Sequence, residues 1–194
     1  MRILSLVILV VLCENSATWA GDGVVALQSA DPSCRTTTTP PPIYVDCGNG
    51  TVTDNRTGLV WLENADCIGT VVWFSAMEFV AGLSDLPGPG SDPDDCGLSD
   101  GSSPGEWRLA SKAEWQAMIA DGTACTPRIT NDIGDGCWSD GPSTFLNVKN
   151  AFYWSSTTSA SNTANAWDMT LSTGAVFTNA KTLSLYVWPV HGGQ

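Results

Sequence analysis

The chain has 194 residues, with 20 acidic and eight basic side chains, so its formal net charge is −12. Nucleic acids and sulfated glycans are bound mainly by Lys and Arg side chains that neutralise their charge. The composition therefore excludes a nucleic-acid-binding protein and makes a sulfated glycan a doubtful ligand. Otherwise it indicates an acidic surface that favours solubility.

The first 20 residues have the pattern of a secretory signal peptide. Arg2 supplies a positive charge, Ile3–Leu12 is apolar, and Thr18–Ala20 is a small-residue cleavage signal. The apolar run is about half the length that a transmembrane helix needs. We therefore predict a protein that is secreted, periplasmic or on the cell surface and has no transmembrane segment.

Residues 21–43 are predicted to form a leader and linker. Thr36–Pro42 reads TTTTPPP and has no apolar periodicity, which is typical of an extended spacer. The segment can act as a stalk for the following domain, or be a plain N-terminal extension. From Tyr44 onwards the chain has the apolar and β-branched content of a folded unit, so we predict one domain over residues 44–194.

The predicted domain begins with a β-hairpin. Thr51–Thr53 and Leu59–Trp61 are β-branched and apolar, and they flank Asp54–Gly58. Asp and Asn favour turns by bonding their own backbone, and Gly58 can supply a positive φ. These features predict two antiparallel strands joined by a tight turn.

Two helices are predicted from capping boxes. Ser75 precedes Glu78 by three residues, and Ser111 precedes Glu114 in the same way. Gly122 is predicted to end the second helix in a left-handed conformation. Each helix has apolar residues at the spacing of a buried face, namely Met77, Phe79, Val80 and Ala81 in the first and Trp115, Met118 and Ile119 in the second.

The C-terminal third alternates in polarity, which is the pattern of β-strands. Trp167, Met169 and Leu171 should face one side and Asp168 the other, with a tight turn at Ser172–Gly174. The predicted strands are Phe152–Ser156, Ala166–Leu171, Ala175–Thr178 and Leu183–Val190. A hairpin, two helices and a final antiparallel sheet predict an α+β fold, in which the helices pack on antiparallel sheets.

Six cysteines remain after the predicted cleavage, and an even number in an exported chain indicates disulfide bonds. They are Cys34, Cys47, Cys67, Cys96, Cys125 and Cys137. Six cysteines allow 15 pairings, and spacing alone does not choose among them. Two irregular loops, Pro87–Pro104 and Thr123–Ser143, contain three of the six, which predicts that disulfides tie these loops down.

Three motifs give the chain a family resemblance: GNGTVTDNRTGLVWL at Gly48–Leu62, WRLASKAEW at Trp107–Trp115 and YWSSTT at Tyr153–Thr158. In this order and spacing they resemble the Lcl C-terminal domain family of bacterial exported proteins. The resemblance implies a single C-type lectin-like domain, a fold also found in formylglycine-generating enzymes. It also implies a Cys67–Cys96 bond. Cys125 and Cys137 bracket one irregular loop and are expected to close it, which leaves Cys34 with Cys47.

The chain is not expected to be an enzyme. Hydrolytic catalysis needs a base beside a nucleophile, and the one histidine, His191, stands near the C-terminus where relatives commonly have Arg. Formylglycine-generating enzymes use a pair of late cysteines, whereas this chain has none after Cys137. The resemblance therefore does not extend to catalysis.

No cofactor is expected, although calcium remains an open alternative. Calcium prefers clustered oxygen ligands, but neither acidic loop has the EF-hand spacing. Trp167-Asp168 resembles part of the WND element of calcium-dependent lectins, yet the Glu-Pro-Asn partner element is absent. The candidate ligands are Asp92, Asp94, Asp95 and Asp100 in one loop and Asn131, Asp132, Asp135 and Asp140 in the other.

We expect the protein to be a recognition domain that binds a protein or glycan through polar C-terminal loops, Thr157–Asn165 and Asn179–Thr182. Rigid scaffolds that present polar loops are a common binding design. The predicted contact residues are Thr158, Ser159, Ser161, Asn162, Asn165, Asn179 and Lys181. Their side chains should lie outside the core, with Trp154 and Trp167 inside it. The alternatives are ordinary polar hairpin loops, or a structural subunit that self-associates in a cell-surface or extracellular filament.

Overall fold

The structure is a computed structural model that describes residues 34, 38–85, 96–122 and 124–192. The predicted signal peptide and most of the predicted leader lie outside the described residues. Within them the chain forms ten strands and two helices. These are β1 (Tyr44–Asp46), β2 (Thr51–Asp54), β3 (Leu59–Leu62), β4 (Thr70–Val72), α1 (Trp73–Gly82), β5 (Trp107–Leu109), α2 (Lys112–Met118), β6 (Phe152–Thr158), β7 (Asn165–Thr170), β8 (Val176–Ala180), β9 (Ser184–Tyr186) and β10 (Pro189–His191).

The first sheet has the order β1-β2-β3-β10-β5, and all its neighbours are antiparallel. The predicted hairpin is confirmed: Thr51 pairs with Leu62 and Asp54 with Leu59. Gly58 supplies the positive φ that the turn requires. The last strand, β10, lies between β3 and β5, so the two ends of the domain meet in one sheet.

The second sheet has the order β4-β9-β6-β7-β8. The β6–β7–β8 meander and the turn at Ser172–Gly174 are confirmed, but the pair β6–β9 is parallel. The predicted strand Leu183–Val190 is wrong as one element, because it divides into β9 in this sheet and β10 in the other. The chain crosses between the sheets at Val187 and Trp188, which are buried in different apolar clusters. The α+β class is confirmed.

Helix α2 begins as predicted. Ser111 accepts a hydrogen bond from the Glu114 amide, and the Glu114 carboxylate accepts one from the Ser111 amide at 2.6 Å. Trp115, Met118 and Ile119 are all buried, as expected. Gly122 does not take the predicted left-handed conformation. It lies against Arg128, where an added Cβ would come within 2.6 Å of the backbone.

Helix α1 corrects the prediction. It begins at Trp73 directly after β4, and its N-cap residue, Val72, makes no side-chain cap. The Ser75 capping box is therefore wrong, because Ser75 lies inside the first turn. The buried residues are Trp73, Ala76 and Val80, whereas the predicted core residues Phe79 and Ala81 are exposed. The N-cap lies three residues earlier than predicted, so the first turn adds Trp73 to a buried stripe that continues through Ala76 and the correctly predicted Val80.

Tryptophans dominate the main core. The Trp188 ring packs against Trp61, Trp115, Phe145 and Tyr153, and its Nε1 donates to the Leu62 carbonyl at 2.7 Å. The second apolar cluster joins α1 to Trp154 and Leu109. The two clusters hold the helices against the sheets, which leaves the β6–β7 loop and the β8–β9 turn at one end of the second sheet.

Three disulfide bonds connect Cys34 with Cys47, Cys67 with Cys96 and Cys125 with Cys137, so the expected pairing is confirmed. The first ties the predicted linker to the end of β1. Asn55 adds to this attachment by donating from Nδ2 to the Pro42 carbonyl at 2.8 Å. Within the described residues, no helix has both the length and the apolar character needed to cross a membrane.

Candidate recognition face

The β6–β7 loop and the β8–β9 turn are hydrogen-bonded to each other. At the base of the loop, the Ser159 amide donates a hydrogen bond to the Asn165 carbonyl at 3.0 Å. The Asn165 amide donates to the Asn162 carbonyl. The Lys181 amide then donates to the Ala164 carbonyl at 3.0 Å, and the Trp73 amide donates to the Lys181 carbonyl. These bonds join the loop, the turn and the start of α1 into one braced surface, which we call the loop face (residues 159–164 and 180–184).

Lys181 braces the loop face from beneath. Its side chain is only 8% exposed. The ammonium group donates to Thr158 Oγ1 at 2.9 Å and lies 4.0 Å from the centre of the Trp73 ring. The hydrogen bond and the cation–π contact engage this side chain inside the protein. The expectation that the Lys181 side chain lies outside the core is therefore wrong, whereas its contact with a ligand stays a prediction.

The other predicted contact residues divide by burial. Ser161 and Asn162 are exposed, whereas Thr158, Asn165 and Asn179 are half-buried. Ser159 is buried, contrary to expectation, because it closes the loop base and its hydroxyl pairs with Ser161 Oγ at 3.1 Å. Asn162 Oδ1 accepts from the Ala164 amide and shapes the loop. The exposed polar groups of the loop face are Ser161, Asn162, Thr163, Thr182 and Ser184.

Trp154 is fully buried as predicted, but Trp167 is not a core residue. Trp167 is half-buried, and the Lys112 ammonium group lies 3.3 Å from its ring centre. Trp167 belongs to the first half of β7, whereas Met169 and Leu171, further along, reach the main core. The alternation of β7 was predicted correctly, but alternation does not show how far the core extends along a strand.

The predictions missed a second site. It lies on the β6–β7–β8 meander, on the face opposite to the one that carries Trp167 and Met169. Asp168 is only 1% exposed. Its Oδ2 accepts from Asn179 Nδ2 at 3.0 Å, while its Oδ1 is buried with no hydrogen-bond partner among the described residues. Directly opposed residues of antiparallel strands share a face, so Trp154 on β6 and Phe177 on β8 flank this carboxylate.

Two exposed aromatic rings complete this site. Phe152 and Phe177 are 40% and 48% exposed, and their ring centres are 6.0 Å apart with planes tilted by 60°. We call Asp168, Asn179, Phe152 and Phe177 the Asp168 face. The sequence carries one signal for it, since Asp168 is the single charged residue between Phe152 and Ala180.

Burial raises the pKa of Asp168 from its ordinary 3.8 to about 6, and the hydrogen bond from Asn179 opposes part of that rise. Because the folded protein then binds the proton more tightly than the unfolded chain, ionisation of Asp168 destabilises the fold. The loss of stability should begin near pH 4 and be complete above pH 6. A displacement of about two pKa units corresponds to roughly 2–3 kcal/mol.

We therefore expect Asp168→Asn to flatten the pH dependence of stability. Between about pH 4 and pH 7.5, the parent should lose roughly 2 kcal/mol more of its free energy of unfolding than the variant does. Urea unfolding at several pH values measures the difference. Burial also raises the pKa values of Glu63 and Asp132, but these contributions cancel in the comparison. Equal pH profiles for parent and variant would contradict the prediction.

The candidate calcium ligands that the structure describes form hydrogen bonds with residues of their own loops or just beyond them. Asp132 accepts from both the amide and the hydroxyl of Thr144, and Asp100 accepts twice from Ser102. Asn131 donates to Asp135 at 2.8 Å. The described residues contain no group of three or more His, Cys, Asp or Glu that could hold a metal ion. Asp92, Asp94 and Asp95 lie outside the described residues, and calcium binding stays an untested alternative.

The fold is thus a disulfide-bonded α+β domain with a braced polar loop face at one end of its second sheet. The sequence model of the Lcl C-terminal domain family matches residues 50–191, well over half of the chain. The protein therefore belongs to the Lcl C-terminal domain family. No curated protein matches the chain.

Proposed function

We propose that the protein is an exported recognition domain that binds a protein or glycan ligand through the loop face, without catalysing a reaction. The observation that carries the proposal is the bracing of that face. The Lys181 backbone bonds both Ala164 and Trp73, and its side chain bonds Thr158. Exposed polar groups on a fixed backbone lose little conformational entropy on binding, which favours recognition.

The proposal includes a C-type lectin-like fold, which the family resemblance implies. In support, β1 and β10 bring the two ends of the domain into one sheet, and a second sheet carries the loops. Export is supported by the N-terminal signal pattern and by the three disulfide bonds, since such bonds persist in oxidising compartments. The compartment would be the periplasm, the cell surface or the surrounding medium.

The proposed absence of catalysis is supported by the position of His191, the one histidine of the chain. It lies on β10, and its ring centre is 5.7 Å from that of Trp107. This position is in the first sheet, whereas the loop face belongs to the second. The position of His191 therefore gives no support for a catalytic base beside the loop-face hydroxyls.

Substitution of the exposed loop hydroxyls tests the proposal. Ser161→Ala combined with Thr182→Ala removes one hydroxyl from each half of the loop face, both from exposed positions. We expect the domain to stay folded and its free energy of unfolding to fall by about 1–2 kcal/mol, because Ser161→Ala removes the hydrogen-bond partner of the buried Ser159 hydroxyl. Affinity for a ligand identified on glycan arrays or by capture from culture should fall about tenfold, as expected for two lost hydrogen bonds.

The matched control is Ser99→Ala combined with Asn150→Ala, two exposed polar residues away from the loop face. This control should bind the same ligand as tightly as the parent does. Equal affinity of the loop variant and the parent, measured by isothermal titration calorimetry, would refute recognition through the loop face.

A structural subunit is the second candidate, because α1 exposes two aromatic side chains. Phe74 is 62% exposed and Phe79 is 52% exposed. Exposed apolar side chains favour association when they are grouped. Size-exclusion chromatography with light scattering distinguishes the candidates: concentration-dependent polymers that Phe74→Ser and Phe79→Ser abolish would favour assembly, and a stable monomer would favour recognition.

A further inference from the structure

We propose that the Asp168 face binds an organic ammonium group, of the kind that a lysine side chain of a protein ligand presents. The proposal rests on the proposed recognition function and specifies part of its ligand. Asn179 connects the Asp168 face with the loop face. Its side chain donates a hydrogen bond to Asp168, and its backbone pairs across the sheet with Ala166, close to the loop face.

The first argument is the carboxylate oxygen without a partner. Buried polar atoms in native proteins are almost always hydrogen-bonded, and an ionised oxygen without a donor is costly. Among the described residues, Asp168 Oδ1 is a buried carboxyl oxygen with no hydrogen-bond partner. A ligand ammonium group would supply both the missing donor and the missing positive charge.

The second argument is that the surrounding strands offer no cation. Strands β6 and β8 contain no Lys, Arg or carboxylate, and their one titratable side chain, Tyr153, packs into the main core on the opposite face. Lys181 follows β8 but is engaged by Thr158 and Trp73. Lys112 lies over Trp167, whose side chain also points to the opposite face from Asp168. The nearest helix on this side, α1, contributes only the exposed acid Glu78.

The third argument is the aromatic pair. Phe152 and Phe177 are tilted by 60° to each other, so the two rings do not form one flat platform. Ring faces beside a carboxylate attract organic cations. A sugar ring stacks best on a flat aromatic surface, and calcium needs six to eight oxygen ligands, so the geometry favours an ammonium group over both.

Because Oδ1 is buried, access to it requires movement of a neighbouring side chain, and the proposal assigns this movement to Phe177, the residue directly opposite Asp168 on β8. Phe177 lies on β8, the edge strand of its sheet, and about half of its side chain is exposed. The proposed movement does not involve Trp154, which is fully buried and pairs with Asp168 from the other side, on β6. Binding then places the cation between the Phe177 and Phe152 rings.

Nuclear magnetic resonance titration of the mature chain with n-butylammonium chloride tests the proposal. At about pH 7.5 and constant ionic strength we expect saturable shifts centred on the Asp168 and Phe177 amides. Uncharged n-butanol should not reproduce them. At about pH 5 binding should be about tenfold weaker, because protonation of Asp168, whose pKa is about 6, removes the charge.

Variants separate the site from general attraction to an acidic protein. Asp168→Asn should abolish saturable binding, and Phe177→Leu should weaken it about two- to fivefold by removing one ring. Asp140→Asn, which removes an exposed acid elsewhere, should bind like the parent. Equal binding by Asp168→Asn and the parent, or shifts spread over all surface acids, would overturn the proposal.

The loop variant separates this proposal from the proposed function. Ser161→Ala with Thr182→Ala leaves the Asp168 face intact, so it should still bind n-butylammonium. If it binds the ammonium probe but keeps full affinity for the natural ligand, recognition through the loop face fails and the ammonium site stands. If the parent does not bind the probe while the loop variant loses its natural ligand, only the ammonium site fails.

Discussion

Replacing Trp188 with alanine should lower the free energy of unfolding by about 3–5 kcal/mol. Trp188 is fully buried, and four rings surround it at centre distances of 4.9 Å (Phe145), 5.4 Å (Trp61), 5.7 Å (Tyr153) and 5.9 Å (Trp115). These rings come from β3, α2, β6 and the loop before β6. Because no single element can move to fill the space, the substitution leaves a cavity. It also leaves the Leu62 carbonyl without its indole donor.

Urea unfolding of Trp188→Ala and Trp167→Ala measures the effect against a matched control. Trp167 is half-buried and loses mainly its contact with Lys112, so its replacement should cost only about 1–2 kcal/mol. Equal losses in the two variants would mean that the core closes around the Trp188 cavity. If Trp167→Ala were the more damaging change, the assignment of the core would be wrong.

The elements that the sequence predicted correctly depend on contacts close in the chain. The hairpin β2–β3 follows from a turn of four residues between Asp54 and Leu59, and α2 follows from Ser111 and Glu114, which bond each other three residues apart. Local patterns determine the hairpin and α2 because most of their hydrogen bonds stay within a few residues. The disulfides were also predicted correctly, but their pairing rested on the family resemblance and on the loop that Cys125 and Cys137 bracket, since spacing alone left it open.

The elements that were predicted wrongly depend on distant contacts. Helix α1 starts at Trp73 because its indole Nε1 bonds the Ser155 carbonyl and its amide bonds the Lys181 carbonyl. No local cap marks that position. The division of the last strand into β9 and β10 depends on partners as remote as β3 and β6. A period-two pattern describes both halves equally well, so it does not reveal the crossing.

The candidate site was predicted in place but not in detail. The loops lie where the sequence placed them, between strands at one end of the second sheet. Burial of Lys181 and Ser159 was missed because small polar and charged side chains are usually exposed, and only tertiary contacts with Thr158, Trp73 and Asn165 reverse that preference. Asp168 was noticed only as half of a calcium motif, since alternation gives its face but not its missing partner.

Removing the Cys67–Cys96 bond should be the second severe change. The bond joins residues 29 apart, and loop-closure entropy in the unfolded chain then gives a stabilisation of roughly 3–4 kcal/mol. The folded state also depends on it. Leu98, two residues after Cys96, is buried in the main core, and the Ser99 amide bonds the Asn49 carbonyl. An added Cβ on Gly50 would come within 2.4 Å of the Gly97 carbonyl oxygen, so this segment packs directly against the start of β2.

Urea unfolding of Cys67→Ala with Cys96→Ala measures this loss, and Cys125→Ala with Cys137→Ala is the matched control. The control bond joins residues only 12 apart, so the same entropy argument gives about 3 kcal/mol. Hydrogen exchange adds a local measurement. The Ser99 amide should lose protection in the first variant and keep it in the second, because only the first releases the segment that holds it. If both variants lose less than about 1 kcal/mol, constraint of the unfolded chain does not account for the stability of this domain. If Ser99 keeps its protection without Cys67–Cys96, packing of Leu98 and the Gly50–Gly97 contact alone hold that segment in place.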